Sequence, residues 1–467
     1  MLYPKYYLNN NHFLKKTLII FAGILISRLF LFSPQAAFSA EAGHAGLDAS
    51  NPATCFKCHK DLATPPPDGY VHAAFAMGDC TVCHELTKDN KFKVIDTGDV
   101  LCYMCHDPKN TQKEVHVPVA SGDCTMCHSP HQSPNPYQLL DSPVSKLCFN
   151  CHEDDKTTHK YVHAPVAAGE CTICHDPHES PYPFRLPAEG KDVCLMCHVD
   201  KEEAITTKKY VHAAIEMVGC TGCHSPHGTE NKYQLLLSPP ELCYGCHSDK
   251  EEHITQVKTP HGAIQAEGSC VNCHDPHASD FPKQLKAEET MDLCLKCHNR
   301  AIKTDKGRLI NMKRWLKERP QLHGPILMDG DCAACHNPHG SNEWRMLRRA
   351  FPSTFYTKFA PEKYSLCFGC HDEELVQEKE TSESTGFRNG TTNLHYVHVK
   401  KDPKKGRRCV VCHDIHGSKG PKHIREITKF GKWQFPLNFK IDDNGGGCAP
   451  ACHFPRKYNR EKAVKNR

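Results

Sequence analysis

Apolar residues gather in one place only. The run Thr17 to Phe32 follows Lys15 and Lys16 and precedes the small residues Ala36-Ala37-Phe38-Ser39-Ala40. That order of basic, apolar and small residues predicts a secretory signal peptide over 1–40, cleaved after Ser39 or Ala42 and less well after Ala40. A retained membrane anchor is the competing reading, but sixteen residues with Arg28 among them are short for a span. No later apolar stretch is long enough to cross a bilayer, so no transmembrane span is expected in the mature chain. Pro and Gly clusters punctuate the remainder of the chain, as in Thr64-Pro-Pro-Pro-Asp-Gly69 and Ser238-Pro-Pro240. They predict helices of one to three turns, long irregular connections and almost no β-sheet. One longer helix is expected from Lys306 to Arg319, stopped by Pro320, and Glu373 to Glu383 reads as a solvated acidic insertion.

Composition changes this picture. A chain of 467 residues would suggest two to four domains, yet it holds 30 Cys, 34 His and 33 Pro with only 8% aromatic residues. So few large apolar side chains cannot offset the entropy of ordering the backbone. Something other than side chains must build the core. Residues 1–40 hold four Lys/Arg and no Asp/Glu, so the formal charge of +4 falls to zero beyond them. No basic excess remains to suggest a nucleic-acid partner.

All thirty Cys fall into fifteen pairs, each followed at once by His. The first five are Cys55, Cys58 and His59; Cys80, Cys83 and His84; Cys102, Cys105 and His106; Cys124, Cys127 and His128; Cys148, Cys151 and His152. The next five are Cys171, Cys174 and His175; Cys194, Cys197 and His198; Cys220, Cys223 and His224; Cys243, Cys246 and His247; Cys270, Cys273 and His274. The last five are Cys294, Cys297 and His298; Cys332, Cys335 and His336; Cys367, Cys370 and His371; Cys409, Cys412 and His413; and Cys448, Cys452 and His453, where one extra residue separates the thiols. Two such Cys add as thioethers to the vinyl groups of one haem, and the adjacent His is carried under the iron as proximal ligand. Structural zinc, a disulfide framework and redox-active pairs each require the Cys pair, but none requires the His. With His at about one residue in fourteen, its presence after every pair is not coincidence. The reading is fifteen covalent haems c.

From residue 80 the motifs come in twos, and the first Cys of successive units fall at 80, 124, 171, 220, 270, 332 and 409. Units such as Cys171-Thr-Ile-Cys-His-Asp-Pro-His178 followed by Cys194-Leu-Met-Cys-His198 closely resemble the doubled Cys-x-x-Cys-His family of multihaem cytochromes. The resemblance runs from 55 to 453 and implies a haem array used for electron transfer. The first unit departs from it with His84-Glu85-Leu86 in place of His-x-Pro-His, which puts one distal ligand in doubt. The last unit has Ile415 for the Pro, and the last two units lengthen. The expected organisation is a signal peptide at 1–40, a single-haem segment at 41–79 and five compact two-haem repeats at 80–298. A sixth repeat with an insertion follows at 299–371, and a seventh, expanded repeat with a basic tail at 372–467. Short α-helices and irregular loops would wrap a haem array that is itself the core.

Six-coordinate iron needs a second ligand. One set of His precedes the first Cys of each unit by eight to eleven residues: His72, His116, His163, His212, His261, His323 and His398. A second set follows the first proximal His by three: His131, His178, His227, His277, His339 and His416. On a helical turn the latter would share a face with that proximal His, cannot reach round the same porphyrin, and are expected to ligate a neighbouring haem. His159, His253, His395 and His423 break the phase and are the expected source of the two ligands still missing; His44 lies just past the leader. Met77, Met217 and Met328 precede attachment sites and are expected to pack against porphyrin rather than to ligate. Mostly or wholly bis-His iron lacks the Met ligand that raises potential, so the haems should work at low potential.

Haems this dense imply electron hopping with no substrate bound. The leading expectation is an electron-transfer conduit, periplasmic or on the cell exterior, in extracytoplasmic respiration, with other redox proteins as partners and no enzymatic activity. The alternatives are a terminal reductase with one open iron and a subunit of a cytochrome filament or other homo-oligomer. The basic stretch Lys400, Lys401, Lys404, Lys405, Arg407, Arg408 and the tail Arg456 to Arg467 read as a solvated face balancing haem propionates, with docking of an acidic partner as the sharper alternative.

Overall fold

The computed structural model describes residue 48 and residues 51–305, 307–329 and 331–466. The expected leader, its cleavage sites and His44 lie outside the described residues.

One unit serves to describe the repeating structure. The strand Tyr161–Val162 leads into His163, which starts the one-turn helix Ala164–Ala167 with a Pro in its first turn, where a missing N–H costs nothing. Gly169 then turns the chain at φ +78°, a left-handed conformation that glycine adopts without a Cβ penalty. The 3-10 turn Cys171–Ile173 carries the first Cys pair, the strand Glu179–Ser180 comes next, and the helix Asp192–Leu195 brings in the second pair. First motifs of the units thus sit on 3-10 turns, and most second motifs at the end of a short α-helix. Cys55 ends the helix Pro52–Cys55 and so resembles a second motif.

The sheet is little but well placed. Six antiparallel two-residue ladders join the leading strand of one unit to the strand after the first motif of the next. They are Tyr70–Val71 with Gln132–Ser133, Glu114–Val115 with Glu179–Ser180, and Tyr161–Val162 with Gly228–Thr229. Tyr210–Val211 with Ala278–Ser279, Thr259–Pro260 with Gly340–Ser341, and Gln321–Leu322 with Gly417–Ser418 continue the series. Each unit therefore contacts its neighbour as in a solenoid. Different pairings stand at the ends: His84–Leu86 pairs with Phe92–Val94, and Lys440–Ile441, Gly445–Cys448 and Arg456–Asn459 form a three-stranded sheet.

Buried apolar side chains are scarce among the described residues, and the one cluster they form lies near the C-terminus: Leu347, Phe351, Tyr364, Val376 and Val399. The last two units therefore have a side-chain core in a region where composition pointed to haem alone. Two further expectations are corrected. The helix expected from 306 starts only at Met312 and runs to Lys317, because Gly307–Leu309 is paired with Ile302–Thr304 and Asn311 caps the helix through Arg314 N. The acidic segment is not merely a solvated insertion: Val376 is buried, and the Asn393 amide donates to Leu375 O and Glu378 O. No helix of the described residues is long and apolar enough to cross a membrane.

Candidate functional site

Thirteen of the fifteen attachment motifs close with the His N–H donating to the carbonyl of the first Cys, as His106 N does to Cys102 O at 3.0 Å. His84, in a strand, and His453, whose N–H reaches Pro450 O past the extra residue, differ.

Fourteen of these His rings face a second His ring at 5.8–6.5 Å between centroids, with planes 8–35° apart. Two imidazoles holding one metal ion at about 2.0–2.1 Å each have ring centres about 6 Å apart. The pairs fit an iron between them. His72, His116, His163, His212, His261, His323 and His398 face the second-motif His of their own unit: His106, His152, His198, His247, His298, His371 and His453. His131, His178, His227, His277, His339 and His416 face the first-motif His of the preceding unit: His84, His128, His175, His224, His274 and His336. The ladders explain this crossing. His116 N donates to His178 O at 2.8 Å, so the two backbones run side by side while the two rings serve different units.

The second set of rings reaches the preceding unit, and not by way of a helical turn. The segment is not helical. The residue after the proximal His caps the turn instead: Ser129, Asp176, Ser225, Asp275, Asn337 and Asp414 accept from the N–H of the second-set His two residues on.

In six of the pairs the first-motif His keeps Nε2 free by occupying Nδ1. The Nδ1 atoms of His128, His175, His224 and His274 lie 2.8 Å from the carbonyls of Tyr137, Phe184, Tyr233 and Lys283, and those of His336 and His413 lie 3.1 and 3.0 Å from Arg345 O and Lys422 O. All six carbonyls belong to residues nine positions on, at φ +54° to +61°. Such bonds fix the tautomer and raise ligand basicity. Sequence reasoning missed this turn because its residues are not the Gly or Asn that mark left-handed backbone. Burial pushes His395, His398 and His416 down to about 4, so they are neutral at pH 7, the form that binds metal.

Of the four unphased His, His395 alone faces an attachment His, at 6.5 Å from His413. His159 lies 3.5 Å from Glu230, His253 Nε2 bonds Gly340 O at 3.1 Å, and His423 stands edge-on to His323. His395 replaces the His that an eighth unit would otherwise supply. The crossing also corrects the doubt raised by the missing His of the first unit: that His would have served a first motif before Cys80, and only the second-type motif at Cys55 precedes it. His59 is the attachment His without a facing ring among the described residues. Met77, Met217 and Met328 are 72–80% exposed.

One continuous, mostly apolar cleft of about 5930 Å³ runs past the His rings from His72 to His423. That is several times the roughly 300–1,000 Å³ of a small-molecule pocket. Exposed side chains such as Val82, Met104, Met126 and Ile173 line it. Planar apolar groups of porphyrin size would cover them.

The doubled CXXCH motif family model matches residues 72–111, 116–157, 163–203, 212–252, 261–303 and 323–375, more than half of the chain, and the chain belongs to that family. It is a multihaem c-type cytochrome, whose CXXCH motifs bind haem c covalently. No curated protein matches the chain.

Proposed function

We propose that the chain is an electron-transfer conduit working outside the cytoplasm, with fifteen haems c of which at least fourteen are bis-His. The fourteen facing His pairs carry this reading, since an iron with both axial positions filled by protein exchanges electrons without binding substrate. The order of hopping follows the order of the motifs. Between units the thiols of consecutive motifs touch, as Cys102 with Cys124, Cys148 with Cys171 and Cys194 with Cys220. Within units Cys127 neighbours Cys151, and Cys174 neighbours Cys197. When bound, the haems supply the redox chemistry. The chain's residues fix their spacing, orient the imidazoles through Nδ1 and cover the macrocycles.

Of the basic stretch, Lys400 donates to Gln377 and Arg408 to Pro352 O, which supports a partly structural role over docking. A terminal reductase would need an open iron. Carbon monoxide added to the reduced protein tests the conduit reading. It should bind at most one haem per chain, with fifteen haems found by pyridine haemochrome analysis; binding at several haems would overturn the conduit.

A further inference from the structure

Two positions in the turn that holds the proximal His change character along the chain. Nine residues after the first-motif His stand Tyr137, Phe184 and Tyr233 in the second to fourth units, and Lys283, Arg345 and Lys422 in the fifth to seventh. Twelve residues after it stand Leu140, Pro187 and Leu236, then Lys286, Arg348 and Arg425. Both switch from uncharged to cationic between the same two units.

Three of the six cations bond directly to the attachment motifs. Arg425 Nη2 donates to His413 O at 2.9 Å, Arg348 Nε to His336 O at 3.3 Å, and Lys286 Nζ to Val271 O between the two thiols of its motif. Tyr137, Phe184 and Tyr233 occupy the equivalent turn 75–78% exposed and line the cleft. Other charges at these turns do not follow the switch. Asp176, Asp275 and Asp414 cap the turn in both groups, Arg185 is a cation in the third unit, and Asp331 stands beside Cys332. In the first unit Lys93 is paired with Glu85 at 2.6 Å. The wider sequence turns basic one unit later than these turns do. Residues 41–298 hold 36 Asp/Glu against 21 Lys/Arg, and residues 299–467 hold 33 Lys/Arg against 18 Asp/Glu.

Reduction adds one electron to a haem and removes one unit of positive charge, and no proton need move. A fixed cation nearby, poorly screened beside a covered macrocycle, therefore favours the reduced form. Pairing of the same cation with a haem propionate acts in the same direction. We infer that the haem array is electrically graded, with the cationic turns of the fifth to seventh units raising the potentials of the haems on His274, His336 and His413 above those on His128, His175 and His224. Reducing equivalents entering the array settle toward its C-terminal third, one electron passing from a ferrous haem to its ferric neighbour. The inference rests on the haem-array reading above.

The test is a potentiometric titration of the full-length holoprotein, followed at the haem α-band. One variant combines Lys283→Tyr, Lys286→Leu, Arg345→Phe, Arg348→Leu, Lys422→Tyr and Arg425→Leu. About three of fifteen electrons should move from the positive end of the titration by about tenfold in reduction equilibrium, which is 59 mV for a one-electron couple. A second variant, Tyr137→Lys with Leu140→Lys, leaves the C-terminal core intact and should move about one electron the opposite way. Titrations that stay unchanged, or move with the reverse sign, in protein of full haem content overturn the grading. Loss of haem or carbon monoxide binding at several haems in the unmodified chain would instead overturn the array reading.

Discussion

His395 and His398 stand three residues apart on the helix Leu394–Val399 and face two different attachment His, His413 and His453. The i, i+3 spacing puts both on one helix face, and each is oriented through Nδ1, His395 by Thr385 Oγ1 at 3.0 Å and His398 by Leu394 O at 2.7 Å. His395→Ala should open the haem of Cys409 and Cys412 to carbon monoxide and leave haem content unchanged. His423→Ala should open none, because His423 meets His323 edge-on. Counting carbon monoxide bound per chain in the two variants separates a ligand from a neighbour, although both His break the repeat phase.

The inter-unit ladders are only two residues wide, so their stability depends on side chains that brace them. Ser180 is buried, donates through Oγ to Leu186 O at 2.5 Å and accepts from Tyr182 N at 3.0 Å. Ser133, Ser279 and Ser341 make the same bond to Leu139, Leu285 and Leu347. Ser180→Ala should cost about 1–3 kcal/mol, because it leaves the Leu186 carbonyl and the Tyr182 N–H without partners. Thermal unfolding of the holoprotein should show a lower midpoint. Lys160→Ala, at an exposed residue over the Tyr161 ring, is the control and should shift it far less. An unchanged midpoint for Ser180→Ala would mean that the haems alone hold the units together.

Along the array, ligation crosses unit boundaries in one direction: each first-motif haem from His84 to His336 depends on the unit after it. A chain ending at Glu318 keeps His261 with His298 but loses His339, the partner of His274. It should carry eleven haems and bind carbon monoxide at one haem more than the full chain does, and equal binding would break the crossing scheme. Much of this was legible in the residues. The attachment sites, the proximal His and the two phased His sets follow from covalent chemistry and repeat spacing, which need no fold. The scarcity of buried apolar side chains followed from composition. What spacing could not supply was which imidazole meets which, because that depends on ladders joining segments some sixty residues apart, such as Val115 with Glu179. Nor could it separate His395 from His159, His253 and His423, or find the left-handed turns at Tyr137 and Lys422, whose residue types carry no signal for that backbone. Local bonding fixes the attachment of each haem in sequence, whereas its second ligand is a long-range contact, and long-range contacts exist only once the chain has folded.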